Sequence, residues 1–217
     1  MDKYIDRTYA GQVLAKELIL YTKNPNVIVL ALPRGGVPVG YEIAKLLSVP
    51  LDVFIVRKLG VPGHEELAMG AIATGGVSVF NEEILTEISI PKEEIDRVIQ
   101  AELNELKRRE IAYRGERPFP NLKGKTIILV DDGIATGATM RAAIKALRLQ
   151  GSANIVVAVP VSAPDSLKMI MQLADKIVCP LTPPHFYAVG AWYENFPQTS
   201  DEEVFELLVK ARRLSLQ

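Results

Sequence analysis

The chain has 217 residues, and its 25 basic and 26 acidic side chains give a formal net charge of −1 at neutral pH. This length favours one domain of ordinary size with a proper hydrophobic core. The balanced charge argues against a dedicated nucleic-acid binder, because such proteins normally carry a basic excess or stripe.

The chain has one cysteine, Cys179, so an internal disulfide is excluded. With only His64 and His185 beside it, a structural zinc site is not expected. The N-terminal segment resembles an amphipathic helix and lacks the basic start and apolar centre of a secretion signal. No apolar run approaches the roughly 20 residues that span a bilayer. The sequence therefore predicts a cytoplasmic protein with no membrane partner.

Short β-branched runs alternate with helical patterns along the chain. Such alternation predicts an α/β fold in which helices flank both faces of a central parallel sheet, and the continuous apolar runs suit strands that are buried on both sides. In chain order we predict a helix at 7–21, a strand at 27–32, a helix at 37–47, a strand at 51–56, a helix at 92–113, a strand at 126–130, a helix at 138–149, a strand at 154–159, a helix at 164–173, a strand at 176–179 and a helix at 202–214.

The segment between the second strand and the long central helix is rich in glycine and small residues. It contains short β-like pieces around Ala71 and at 77–80. This composition predicts a flap or hairpin inserted in the sheet.

Two adjacent acids follow the third predicted strand, in the string IILVDDGIATGAT at 127–139. Because that strand ends at Val130, Asp131 and Asp132 emerge at the carboxyl edge of the sheet, where open α/β folds bind their ligands. Two carboxylates there can accept hydrogen bonds from vicinal hydroxyls and help to hold a hydrated magnesium ion.

The loop after the acids leads directly into a helix. It supplies backbone N–H groups and two hydroxyls at a helix N-terminus, which favours a phosphate. The alternative is an ordinary turn and helix cap, for which Asp, Gly and Thr are common. Neither of the other common phosphate motifs, G-x-x-x-x-G-K-[ST] or a strand-linked G-x-G-x-x-G, is present. The candidate phosphate-binding residues are Ala135, Thr136, Gly137, Ala138 and Thr139.

As an ordered whole, the string resembles the binding signature of type I phosphoribosyltransferases. This resemblance implies their fold in a single domain, 1–217, with a flexible flap at about 58–90 and a small hood formed by about 180–217 and the N-terminal helix. It also implies a homodimer and transfer of the 5-phosphoribosyl group from 5-phosphoribosyl 1-pyrophosphate (PRPP) to a nitrogen acceptor such as a nucleobase, with release of pyrophosphate. Asp131 and Asp132 would hold the ribose and, partly through water and PRPP, a Mg²⁺ ion.

The loop after the first strand reads Leu-Pro-Arg-Gly-Gly at 32–36. In the family that the chain resembles, the equivalent loop holds the pyrophosphate, often through a non-proline cis peptide. The resemblance therefore assigns Arg34, Gly35 and Gly36 to pyrophosphate and places a cis bond before Gly35. The alternative is a simple turn.

The second predicted strand ends in an Arg-Lys pair, Arg57 and Lys58. The pair resembles the one that precedes the flexible loop of adenine phosphoribosyltransferases, where two cations would neutralise the leaving pyrophosphate. The alternative is that both side chains extend into solvent at a strand end. The following segment, GVPGHEELAMG, has the glycines of a lid, with His64, Glu65 and Glu66 as acid–base or positioning candidates. A solvated loop tip is the competing interpretation for these three.

An aromatic cluster occupies 185–193. It resembles the aromatic-Val-Val-Gly stretch of hypoxanthine-guanine phosphoribosyltransferases, in which an aromatic ring stacks on the purine. Aligning Val189 with that stretch places Tyr187 at the stacking position, with Phe186 and Trp192 as nearby alternatives. The acidic residue that follows the motif in that family is not reproduced in register, and packing of the hood against the core is the competing explanation.

The acceptor stays open between a purine, a pyrimidine and a compound that is not a nucleobase. Two other classes of protein also stay open. One is a PRPP- or nucleotide-sensing regulator of the same fold without transferase activity. The other is an interaction module that keeps the nucleotide pocket without its chemistry.

Overall fold

A five-stranded parallel sheet forms the centre of the protein in the computed structural model, which describes residues 3–88 and 90–215. Its strands are β1 (Val27–Ala31), β2 (Leu51–Val53), β6 (Thr126–Val130), β7 (Asn154–Ala158) and β8 (Lys176–Val178). The strand order is β2-β1-β6-β7-β8. Neighbouring strands run parallel throughout, as the alternation of strands and helices predicts.

Helices cover both faces of this sheet. They are α1 (Arg7–Glu17), α2 (Gly36–Leu47), α3 (Glu82–Glu87), α4 (Lys92–Arg114), α5 (Ala138–Leu149), α6 (Pro164–Met171) and α7 (Asp201–Ser215). Val29 and Ala31 of β1 belong to one buried cluster while Ile28 and Leu30 belong to another, as the two-residue period of a strand requires. The first cluster includes residues of α1, α2, α4 and α7, and the second includes residues of α5 and α6.

The predicted flap is a second, three-stranded antiparallel sheet. It consists of β3 (Val56–Val61), β4 (His64–Ala73) and β5 (Val77–Phe80) in that spatial order. The β3–β4 turn contains Gly63 at φ +76°, a left-handed backbone conformation that glycine adopts at little cost. The predicted hairpin is therefore confirmed, but its strands form a separate sheet and are not inserted in the parallel sheet.

The predicted strand at 51–56 is wrong in one respect, because β2 ends at Val53 and Val56 begins the second sheet. The chain changes sheets through Phe54 and Ile55, and the backbone of Ile55 is anchored to Thr74. Ile55 N–H donates to Thr74 Oγ1 and Thr74 N–H donates to the Ile55 carbonyl oxygen, both at 2.9 Å. The apolar run continues unbroken through this junction, so periodicity could not reveal it.

Two further differences concern helices. The predicted helix at 7–21 ends at Glu17 and continues as a separate 3₁₀ turn at Ile19–Tyr21, and the short helix α3 was not predicted. No helix in residues 3–88 and 90–215 is both long enough and apolar enough to cross a membrane.

Candidate active site

The acid pair lies where the sequence predicts, directly after β6. Asp132 N–H donates to Asp131 Oδ1 at 2.8 Å, so the two acids form one compact unit. The loop after the neighbouring strand β1 packs on this unit. A Cβ built on Gly35 would lie 2.0 Å from Asp132 Oδ2, and one on Gly36 would lie 2.8 Å from the Val130 carbonyl oxygen. Glycine is therefore required for the two loops to touch.

Burial raises the pKa of both carboxyls. For Asp131, desolvation is the larger cause and the neighbouring Asp132 charge adds to it, so its pKa lies well above 3.8. The pKa of Asp132 is also raised by desolvation, but the Arg7 guanidinium opposes this effect. A cation or the donor groups of a ligand would therefore stabilise the ionised forms of these two carboxyls.

Arg7, in the first turn of α1, is a site residue that sequence reasoning missed. Its Nε donates to Asp132 Oδ2 at 2.9 Å, and the two side chains are only 10% and 14% exposed. Its guanidinium also donates to the Pro197 carbonyl oxygen at 2.6 Å and lies 3.7 Å from the centre of the Phe196 ring. A single arginine at a helix start gives no sequence signal of such a role.

Tyr193 supports Asp132 from the hood. Its hydroxyl donates to the Asp132 carbonyl oxygen at 2.6 Å, and its ring centre lies 4.8 Å from that of Phe196. The aromatic cluster in the sequence pointed to this region but not to this role.

The predicted phosphate loop is open to solvent over much of its length. Ala135, Thr136 and Ala138 are exposed, as is Thr139 in the first turn of α5. The intervening Gly137 is buried at φ +74°, which turns the chain into the helix. The helix N-terminus and its hydroxyls can therefore receive an anion.

The cis peptide was predicted one bond too late, since it joins Pro33 to Arg34 rather than Arg34 to Gly35. The sequence does not indicate which of two consecutive peptide bonds in this turn is cis. Arg34 is partly exposed, and its terminal nitrogen lies 3.8 Å from Asp201 Oδ1 at the start of α7.

Arg57 and Lys58 lie inside β3 and not at the end of a strand of the parallel sheet, which corrects their predicted location. Arg57 Nε donates to Glu102 Oε2 of α4 at 2.7 Å. Lys58 is exposed, 3.9 Å from Glu66 Oε2. The structure therefore pairs both cations with glutamates outside the acid pair.

The three lid candidates, His64, Glu65 and Glu66, begin β4 next to the hairpin turn and are exposed. The segment that we expected to be a lid loop is thus an ordered β-hairpin tip. Its acids are positioned by the hairpin and are not part of the compact unit that Asp131 and Asp132 form.

The predicted base-binding residues divide into two groups. Phe186, Val189 and Trp192 pack against the cluster around Tyr4 and Tyr193, as the competing packing explanation requires. Tyr187 is 87% exposed. A Cβ on Gly133 would lie 2.5 Å from Val189 Cγ1, so the hood is seated directly beside the acid pair.

A cavity of about 770 Å³ adjoins this region between the second sheet and helices α5 and α6. Of the predicted site residues, Lys58, Ala138 and Thr139 contribute to its lining, together with Arg141 and Lys145. The cavity therefore extends from the phosphate loop towards the hairpin and does not cover the acids.

These features define a type I phosphoribosyltransferase fold, with a parallel sheet flanked by helices and the acid pair and phosphate loop at its carboxyl edge. The family model described as "Phosphoribosyl transferase domain" matches residues 9–190. The chain belongs to this family.

Over nearly its whole length, the chain is similar to a solved structure and to a curated protein. The structure of TT1426 from Thermus thermophilus is 39% identical, covers 96% of this chain and 98% of that one, and superposes with a TM-score of 0.84. The provisionally named phosphoribosyl transferase Rv0571c of Mycobacterium tuberculosis is 45% identical over 213 residues. The match covers 98% of this chain and 48% of that protein, so the chain spans about half the length of this relative.

A shorter match is with "Bifunctional protein PyrR" of Brevibacillus brevis, which is 29% identical over 99 residues. It covers 43% of this chain and 55% of that protein.

Proposed function

We propose that the protein transfers the 5-phosphoribosyl group of PRPP to a nitrogen acceptor, with a nucleobase as the expected class. The observation that carries the proposal is the joining of three parts at one sheet edge. The acids Asp131 and Asp132 lie against the Gly35–Gly36 turn, and the exposed phosphate loop follows them directly. A pentose phosphate offers hydroxyls to the acids and its phosphate to the loop.

In the proposed reaction, the lone pair of the acceptor nitrogen forms a bond to the anomeric carbon. The bond from this carbon to the pyrophosphate oxygen breaks, the electron pair leaves with pyrophosphate, and the nitrogen loses its proton to water. Positive charge develops on the ribose ring, as in glycoside hydrolysis. Carboxylates of Asp131 and Asp132 near the ring would stabilise this charge and fix the sugar by accepting bonds from its hydroxyls.

The pyrophosphate end would be held by Arg34 and the backbone of Gly35 and Gly36. Arg57 and Lys58 lie in β3, and Lys58 lines the same cavity as Thr139. We propose that the hairpin closes on the ligand so that both cations reach the pyrophosphate. The same movement is needed for Glu65 and Glu66 to act as acid–base groups. The roles of these four residues stay predictions, as do base binding by Tyr187, Phe186, Val189 and Trp192, the homodimer and the cytoplasmic location.

The residues present fit a Mg²⁺ ion only if the substrate supplies some of its ligands. In the described part of the chain, no three His, Cys, Asp or Glu side chains cluster to hold a metal. Asp131 and Asp132 supply two carboxylates, and Mg²⁺ commonly combines one or two carboxylates with waters and substrate phosphates. When bound there, it would neutralise charge on the departing pyrophosphate.

The first test is calorimetric binding of PRPP with Mg²⁺ to the full chain. Thr139→Val removes a hydroxyl from the predicted phosphate loop and should weaken binding by about fivefold, corresponding to the roughly 1 kcal/mol of one hydrogen bond. Thr126→Val, at the other end of β6, is the control and should leave the affinity unchanged. Absence of PRPP binding by the unaltered protein would contradict the proposal.

The second test separates an enzyme from a regulator. Pyrophosphate release is measured with PRPP, Mg²⁺ and a panel of purine and pyrimidine bases. Release with one base identifies the acceptor. PRPP binding without release for any acceptor in the panel would instead favour a PRPP-sensing regulator, for which a salt-dependent nucleic-acid binding assay is the next measurement.

A further inference from the structure

A second cavity, of about 440 Å³, lies at the opposite edge of the parallel sheet from the acid pair. Ile28 is the second residue of β1 and Leu51 is the first of β2, so the cavity is at the amino ends of these parallel strands. Asp131 and Asp132 follow the carboxyl end of β6. The lining comprises Ile28, Pro50, Leu51, Asp52, Arg114, Arg117, Pro118, Pro120 and Arg212.

Three arginines and one aspartate line this cavity, which makes it basic in a chain of balanced charge. Arg114 is already compensated. Its side chain is only 4% exposed, its Nε lies 3.0 Å from Asp52 Oδ1, and a terminal nitrogen lies 3.8 Å from Glu110 Oε1. Arg114 therefore helps to form the wall of the cavity, and its charge is balanced by its acidic partners.

The surplus positive charge comes from Arg117 and Arg212, which lie far apart in the sequence. Arg117 follows α4 and is anchored by its Nε, which donates to the Arg114 carbonyl oxygen at 3.2 Å. Arg212 lies near the end of α7 and is partly buried. Guanidinium groups are planar and match the oxygens of a phosphate or carboxylate in pairs.

The rest of the wall is apolar. Ile28 and Leu51 are nearly buried, and three prolines add flat hydrocarbon surface. The volume falls within the range of about 300–1,000 Å³ that is typical of sites for small molecules. An oxyanion with a flat apolar body would match both parts of the lining.

We propose that this cavity binds a small organic oxyanion, with Arg117 and Arg212 contacting the charged group and the proline and aliphatic wall contacting a planar ring. The site is separate from the one proposed for PRPP and does not depend on it. Its ligand class includes nucleoside monophosphates and aromatic carboxylates, which share the charged group and the ring.

The test uses calorimetry on the full chain with adenosine 5′-monophosphate, uridine 5′-monophosphate, benzoate and inorganic phosphate as probes. To weaken nucleotide binding at the acid pair and the predicted phosphate loop, every protein also carries Asp131→Asn and Thr139→Val. We expect at least one ring-bearing probe to bind, and the change of Arg117→Gln with Arg212→Gln to weaken it by at least tenfold. Arg97→Gln with Arg213→Gln, which removes two exposed arginines from α4 and α7, is the matched control.

Three results would overturn the proposal: no binding of any ring-bearing probe at millimolar concentration, equal affinity in the double variant and its control, or inorganic phosphate binding as tightly as every ring-bearing probe. Nucleotide binding without benzoate binding would identify an organic phosphate as the ligand, and the converse would identify a carboxylate. If the protein without substitutions does not bind PRPP, the proposed transferase function is contradicted. That result would not bear on the proposed oxyanion site.

Discussion

Asp131 lies in the candidate site, and its burial has a cost to stability. Its pKa is raised by burial and by Asp132, so the folded protein holds a proton that the unfolded chain releases above a pKa of 3.8. The folded state therefore loses stability as the pH rises from that value through the raised folded pKa, and the loss persists at pH 7. Residues that lower the stability of the folded state are common at binding and active sites.

From this we predict that Asp131→Asn makes the protein more stable at pH 7 while it weakens PRPP binding. The amide oxygen can still accept the hydrogen bond from Asp132 N–H, and the buried charge is gone. A gain of more than about 1 kcal/mol is expected, because a pKa change of one corresponds to about 1.4 kcal/mol. Urea unfolding should show the gain at pH 7 and little of it near pH 3.

The control for this prediction is Asp165→Asn, which changes a 93% exposed side chain. An equal change in the free energy of unfolding in the two variants would contradict this account.

Arg7 is the second residue whose replacement is informative. Arg7→Met leaves Asp132 without its partner in a site where both side chains are mostly buried, and breaking such a pair costs about 3–5 kcal/mol. We expect urea unfolding at a lower concentration and weaker PRPP binding, with partial recovery in Arg7→Lys. Lys16→Met removes an exposed charge from the same helix and should have little effect. An Arg7→Met protein as stable as this control would show that the pair contributes nothing.

At the scale of elements, an ion pair joins the β3–β4 hairpin to α4. Arg57 of β3 pairs with Glu102 of α4 at 2.7 Å, and the side chains are 28% and 25% exposed. A cation that is proposed to reach pyrophosphate is thus engaged elsewhere. The hairpin must exchange this partner for the ligand if the proposed closure occurs.

Glu102→Gln tests this exchange. Removing the competing charge should strengthen binding of PRPP by about twofold to fivefold, while a partly exposed pair of this kind costs less than about 1 kcal/mol of stability. Faster amide hydrogen exchange in β3 and β4 is expected as the hairpin loosens. Glu105→Gln, one turn away and paired with arginines of its own helix, is the control. Weaker PRPP binding in Glu102→Gln would indicate that Glu102 orients Arg57 instead of restraining it.

For the whole molecule, the N-terminal segment pairs with the chain near Tyr193. Tyr4 forms a parallel β-bridge with Tyr193, and its hydroxyl donates to the Pro160 carbonyl oxygen at 2.9 Å. Two backbone hydrogen bonds, from Glu194 N–H to the Tyr4 carbonyl and from Asn195 N–H to the Ile5 carbonyl, continue the pairing. The segment that carries Arg7 is thereby fixed to the segment that carries Phe196.

We therefore predict that Tyr4→Ala weakens both the fold and the site. Tyr4 is fully buried, and loss of such an aromatic side chain costs about 3–5 kcal/mol. Because Arg7 follows closely in the chain, PRPP affinity should fall as well, even at temperatures where the variant is folded. Tyr9→Ala, which removes a 36% exposed ring from α1, is the control for both measurements. Unchanged PRPP affinity in a folded Tyr4→Ala protein would show that the hood does not position the acids.

The sequence by itself determined the parallel α/β fold and the positions of the acid pair and of the loop that follows it. These depend on local order: a strand, then its terminal acids, then a helix N-terminus. Only the tertiary structure decided that Arg7, Tyr193 and Phe196 support Asp132, that Arg57 pairs with Glu102, and that the chain changes sheets after Val53. The side-chain contacts of Arg7 and Arg57 join residues that are 45 to 190 positions apart in the chain. The change of sheet falls inside a continuous apolar run. Neither periodicity nor motif spacing carries information about such distant pairings, which follow from how the helices and sheets pack.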